Sequence, residues 1–229
     1  MFYKLWKEKY DNNLDDSRYI EEFLNSSFDS ISPFITGSFD DLKEIIQFLI
    51  EYPINNLLDH INDFQHDIQP AMIMQFSNFE NAIYKLPIIL DAEDNHLSFD
   101  ILGKKLVDAK RVGACKKYGE NHSKVAKECG FVTFDKKRGL TLVEITNLGQ
   151  IITFLSKEAV YEVTKKLLLR NYFIQNIISY AKKNIVLYSD VASCLSESTL
   201  IRRKGNNKYL LNLILKKTNY EILLNNIIW

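Results

Sequence analysis

Gly119-Glu120-Asn121-His122-Ser123-Lys124-Val125-Ala126-Lys127-Glu128-Cys129-Gly130, followed by Phe131-Val132-Thr133-Phe134, Asp135-Lys136-Lys137-Arg138-Gly139 and Leu140 to Ile145, is the stretch on which the fold turns. Its first part predicts a helix over Gly113–Gly130, with Ala114, Val125 and Ala126 facing inward and Gly130 supplying the left-handed residue that ends it. Its second part changes period. β-Branched and aromatic residues flank a charged, glycine-terminated tip, which is the pattern of a two-stranded hairpin.

Upstream, Phe79, Ile83, Leu86, Ile89 and Leu90 recur at helical spacing, and Asp94-Asn95-His96 reads as a turn. Ser98 is an N-cap for a short helix whose apolar face is Phe99, Ile101, Leu102 and Leu106. Three helices and then a basic hairpin is the order of a winged helix. Downstream, helices over Leu148–Leu155 and Ser156–Arg170 lead to a second set: Tyr172–Lys183, Tyr188–Cys194, and a helix entered through Ser196-Glu197-Ser198. A closing hairpin is expected from Lys217-Thr218-Asn219-Tyr220 into Glu221–Trp229. The fold class expected is therefore mainly α with small β-hairpin wings, as tandem winged-helix units. The divisions are an acidic helical region over residues 1–75, a first unit over 76–155 and a second over 156–229.

The acidic region reads as helices with short breaks. A helix is expected over Asp15–Phe23 and a loop around Ile31–Gly37. Ser38-Phe39-Asp40-Asp41 then caps a helix carrying Leu42, Ile45, Ile46 and Leu49, which Pro53 stops before Ile54, Leu57, Leu58 and Ile61 begin another.

A net charge of zero conceals an asymmetry. Residues 1–100 hold 6 Lys and Arg against 19 Asp and Glu, a net of −13, whereas residues 101–229 hold 23 against 10, a net of +13. Such a division predicts a polyanion-binding half joined to one that cannot bind polyanions, or two parts that attract each other across an interface. No apolar run approaches the roughly 20 residues that cross a bilayer, and the N-terminal segment interleaves charges with apolar residues, so a cytoplasmic protein without a membrane partner is expected. Three cysteines without a CxxC pair predict reduced thiols.

A helix fits the DNA major groove if its exposed face offers cations to phosphates and forked donors to base edges. Lys110, Arg111, Lys116, Lys117, Asn121, His122, Lys124 and Lys127 are the candidates in the first unit, with Lys136, Lys137 and Arg138 reaching the backbone or the minor groove from the hairpin tip. In the second, Ser198 and Thr199 are expected to donate to phosphate at a helix N-terminus, Arg202 and Arg203 to read guanine, and Lys204 and Lys208 to add charge. Cys115, His122 and Cys129 recur every seven residues, but seven residues span roughly 10 Å of helix, too far for one zinc ion. The two cysteines are read as small core residues. His60 and His66 among Asp59, Asp63 and Asp67 read as a solvated helix end, and Asp135 with Glu144, followed by Ile145 and Thr146 and lying across the basic wing, is only a loose match to the clustered carboxylates and lysine that a two-metal nuclease needs. No cofactor, metal or catalytic residue is assigned.

The run from Lys117-Tyr118-Gly119 through Cys129-Gly130-Phe131-Val132, with Ile145-Thr146-Asn147-Leu148-Gly149 and Leu195-Ser196-Glu197-Ser198-Thr199 to Arg202-Arg203, resembles winged-helix recognition modules of restriction endonucleases, particularly those of type IIS enzymes. The resemblance covers roughly residues 98–215. It implies a helix-turn-helix around GENHSKVAKECGFV, a helix start at Thr146 and Gly149, and a second unit entered at LSESTLIRR. Related modules continue past the arginines with a tryptophan-containing helix; here Lys204-Gly205-Asn206-Asn207-Lys208-Tyr209 follows, with Gly205 expected to interrupt it. The resemblance thus implies sequence-specific recognition of double-stranded DNA by the target-recognition domain or subunit of a restriction enzyme, alongside a separate nuclease domain or subunit. A complete endonuclease with an unrecognised active site, and a small winged-helix transcription regulator or adaptor, are the alternatives.

Overall fold

A computed structural model of the chain describes residues 21, 23–25, 38–63, 65–93, 95–107, 113–137 and 139–229. In chain order the helices and strands are α1 (Phe39–Glu51), α2 (Ile54–Asp59), a 3₁₀ turn (Pro70–Met72), a π-helical turn (Asn81–Lys85) running into α3 (Leu86–Ala92), β1 (His96–Ser98), α4 (Phe99–Leu106), α5 (Cys115–Glu128), β2 (Val132–Lys137) and β3 (Leu140–Ile145). There follow α6 (Asn147–Ile152), α7 (Lys157–Leu168), α8 (Tyr172–Lys183), β4 (Val186–Leu187), α9 (Tyr188–Val191), α10 (Glu197–Leu215), a 3₁₀ helix (Glu221–Asn226) and β5 (Ile227–Ile228). The described residues are mainly helical, with one small antiparallel sheet and one two-residue parallel pair. The helix expected over Asp15–Phe23, apart from Glu21 and Phe23, and the loop over Ile31–Gly37 lie outside the described residues. Among the described residues no helix is long and apolar enough to cross a membrane.

Two compact units result, and neither is a continuous segment: residues 38–50 group with Phe76–Thr164, and Glu51–Gln75 with Lys165–Trp229. The acidic region is thus divided between the two.

In the unit of residues 38–50 and 76–164, α1 begins where Ser38 Oγ accepts from the Asp41 N–H at 3.2 Å, and it buries Leu42, Ile45, Ile46 and Leu49. The π turn has a local cause. Pro87 has no N–H for the carbonyl four residues back, and its ring crowds that carbonyl, so the helix widens before it continues. Ser98 caps α4, accepting from Ile101 N–H at 3.4 Å. The α4–α5 crossing is set by two glycines. A β-carbon on Gly103 would overlap the carbonyl oxygen of Cys115, and one on Gly119 would overlap that of Phe99 and come within 2.9 Å of the Gly103 nitrogen. Only bare backbone permits this approach.

Helix α5 ends at Gly130, φ 75°, as expected, and β2 and β3 pair from Val132↔Ile145 to Lys137↔Leu140. Not foreseen is β1, which pairs with β3 through Leu97↔Val143 and makes the sheet order β1-β3-β2. Its three residues are too short to register as an alternating pattern. Thr146 joins hairpin and helix: its hydroxyl donates to the Gly130 carbonyl at 2.7 Å and accepts from Gly149 N–H at 3.0 Å to start α6. Two expected inward residues point outward instead, Ala114 and the 45% exposed Ile101, because the tight glycine crossing turns the buried faces toward Leu102, Gly103, Cys115 and Gly119.

In the unit of residues 51–75 and 165–229, α8 is buried on nearly every side, which forces its polar residues into hydrogen bonds. Gln175 donates to the carbonyls of Leu24 and Leu169 at 2.8 and 2.9 Å, and Asn176 accepts from His66 N–H at 3.0 Å and donates to its carbonyl at 2.8 Å. Lys182 donates to the Leu58 carbonyl at 2.6 Å. The closing hairpin expected from Lys217 onward does not form. Its second half is the 3₁₀ helix, and the last two strand residues run parallel to β4 through Val186↔Ile227 and Leu187↔Ile228. The reason is the apolar pattern Leu223, Ile227, which buries inward at a spacing of four rather than two. Gly205 does not interrupt α10, which runs unbroken for 19 residues.

Candidate nucleic-acid interface

The inner face of α5 is Cys115, Gly119, His122, Ser123, Val125 and Ala126. Its outer face carries Lys116, Lys117, Lys124 and Lys127, all exposed, with Glu120 among them and Asn121 half-exposed at the margin. Glu120 organises two of these cations. Its carboxylate receives Lys124 Nζ at 2.6 Å and Lys117 Nζ at 3.0 Å, which holds it below the usual carboxylate range, the Lys124 hydrogen bond being the larger cause. Lys127 lies over the Phe134 ring at 5.1 Å. On the hairpin, Lys136 and Lys137 are exposed. Asp135 at 2.8 Å and Glu144 at 3.2 Å flank Lys137 Nζ, and their hydrogen bonds, Asp135 first, raise its pKa. The pair considered for metal chemistry is thus engaged with one ammonium. Lys110, Arg111 and Arg138 lie outside the described residues.

His122 is corrected. It is 1% exposed and faces the core, stacked on Tyr118 at 3.9 Å. Its Nδ1–H donates to the Tyr118 carbonyl at 2.7 Å while Nε2 accepts from Asn78 N–H at 3.3 Å, an arrangement that requires the neutral ring. Burial lowers its pKa accordingly. A ring held at both nitrogens inside the unit cannot reach a base. The seven-residue spacing that placed it with Cys115 and Cys129 marks the buried stripe of α5, since both cysteines are buried too. Among the described residues, no three His, Cys, Asp or Glu side chains converge as metal ligands would.

The second cluster lies on α10. Ser198 and Arg202 are exposed, and Arg202 is held locally: Nη2 donates to Thr199 Oγ1 at 3.0 Å and Nε to the Ser198 carbonyl at 3.3 Å. Lys204 is half-buried, and Lys208 sits over the Trp229 ring at 5.9 Å. Arg203 departs from the sequence expectation. One residue on, it is rotated by about 100° around the helix, and its Nη1 donates to the carbonyls of Pro70 and, at 2.6 Å, Ile73. It fixes the 70–73 segment and is not a base reader. The tandem arginines looked equivalent in sequence, but half-buried Arg203 continues the inward-facing row of Asn207, Leu210 and Ile214, which leaves only Arg202 at the surface. The same periodicity exposes two apolar residues that charge alone did not single out, Ile201 (64% exposed) and Tyr209 (43%).

Comparison with protein-family models, with curated proteins and with solved structures finds no match to this chain.

Proposed function

We propose that the protein recognises double-stranded DNA in a sequence-dependent way, with α5 as a groove-entering helix and the β2–β3 hairpin as a wing. The observation that carries this is the outer face of α5, where four exposed lysines oppose a fully packed inner face. Support for a winged-helix reading of this unit comes from the order α3, β1, α4, α5, β2, β3 with β1 added at the β3 edge of the hairpin. The second unit has no hairpin after α10, so it enters the proposal as a helical contact without a wing. Lys116, Lys117, Lys124, Lys127, Lys136 and Lys137 set register on phosphates; Asn121 and Arg202 offer forked donors to base edges, with Ser198 and Thr199 beside Arg202. A role as the target-recognition domain or subunit of a restriction enzyme rests on the sequence resemblance alone.

The test is selection of bound duplexes from a random DNA pool by the intact protein, at two salt concentrations with magnesium present. One enriched, uncut motif whose binding weakens with salt is expected. Absence of enrichment with salt-insensitive binding overturns the reading, and a cut motif would replace it with a complete endonuclease.

A further inference from the structure

Helix α10 contains a glycine that its own unit does not require. Gly205 stands in the middle of the helix and is exposed, its φ is not left-handed, and a β-carbon built on it meets nothing within 4 Å. Gly103 and Gly119, by contrast, are each forced by a neighbouring carbonyl. A glycine inside a helix is unfavourable relative to alanine, so this position carries a cost with no internal compensation.

Helical spacing puts Gly205 at the centre of a face formed by Ser198, Ile201, Arg202, Lys208 and Tyr209, all exposed. Between Glu197 and Glu221 the chain holds six Lys and Arg and no Asp or Glu, so the charge here has one sign. Arg202, Gly205 and Lys208 follow at intervals of three, which places the two cations roughly 9 Å apart along the axis at 1.5 Å per residue, on either side of the glycine.

We propose that Gly205 is where α10 meets the sugar–phosphate backbone of duplex DNA at closest range, with Lys208 as a flanking phosphate contact, Arg202 reaching past the backbone to a base edge, and Ile201 and Tyr209 packing on sugars. This rests on the DNA-binding reading above and adds a second contact surface to it. Removing the β-carbon lets backbone approach backbone, the same device that seats α4 on α5. A protein helix as partner is disfavoured by the face itself, whose two apolar side chains are separated by Arg202, Gly205 and Lys208.

The experiment compares full-length wild type, Gly205→Ala and Gly205→Gln for thermal midpoint and for affinity toward the duplex pool, with Lys124→Ala as a variant in the other unit. Both Gly205 variants should melt about 2–4 °C higher or unchanged, since a better helix former replaces glycine at an open site. Their DNA affinity should fall, at least threefold for alanine and tenfold for glutamine. If wild type and Lys124→Ala bind DNA with different affinities but the Gly205 variants match wild type, the α10 contact is overturned and the α5 reading stands. If wild type does not bind, both fail. Glycine variants that keep DNA affinity but change the sedimentation mass would point instead to a protein partner and likewise overturn the proposal.

Discussion

Replacing Arg203 by alanine should damage stability and spare sequence preference, whereas replacing Arg202 should do the reverse. Arg203 donates to two main-chain carbonyls, Pro70 and Ile73, from a partly buried position, and burial lowers its pKa. A hydrogen bond from a charged donor contributes about 1.5–3 kcal/mol when desolvated, and partial exposure screens that, so the two together give about 2–3 kcal/mol. For a chain of 229 residues that corresponds to a fall in Tm of about 4–12 °C. Arg202, held only by Thr199 and the Ser198 carbonyl on the surface, should change stability by less than about 0.5 kcal/mol and relax base preference at one position at a cost of about 1–3 kcal/mol. Urea denaturation of both variants, with binding to the selected duplex measured well below either midpoint, reads the two effects separately. An Arg203→Ala protein as stable as wild type with altered base preference would refute the inward assignment.

Four further outcomes follow from the same geometry. Gly119→Ala should destabilise by more than about 2 kcal/mol, because the new methyl meets the Phe99 carbonyl and α4 must shift; calorimetry showing an unchanged midpoint contradicts the crossing. His122 is held neutral with a lowered pKa. Its contribution is fully present above the unfolded-state pKa of about 6.5 and is lost as pH falls from there toward the folded value. Stability measured from neutral to mildly acidic pH should therefore decline less steeply in His122→Gln than in wild type, and equal slopes would remove this role. Glu120→Gln should tighten binding to all duplexes and steepen the salt dependence, because Lys117 and Lys124 lose their internal carboxylate; weaker binding at every salt concentration would count against α5 as the DNA face. Lys136→Ala should weaken all sequences alike and reduce the salt slope by about one, a result read from titrations at several salt concentrations.

The sequence alone determined what depends on neighbours along the chain. Ser98, Thr146 and Gly130 start and stop helices through hydrogen bonds and backbone geometry that span at most a few residues, and the hairpin over 132–145 follows from alternating residues around a charged tip. The charge division at residue 100 and the lysine-rich face of α5 were legible for the same reason. Tertiary structure decided what depends on who lies opposite. His122 and Arg203 are polar residues in basic runs, and only the positions of Asn78, Pro70 and Ile73 turn them inward. Residues 51–75 joined the C-terminal third because Asn176 and Lys182 reach carbonyls of His66 and Leu58 more than 100 positions away. The last strand ran parallel to β4 because Leu223 and Ile227 had a core to fill there. Local hydrogen bonds and periodicity are written in sequence order, but burial of a polar side chain is settled by distant atoms that alone can repay its desolvation.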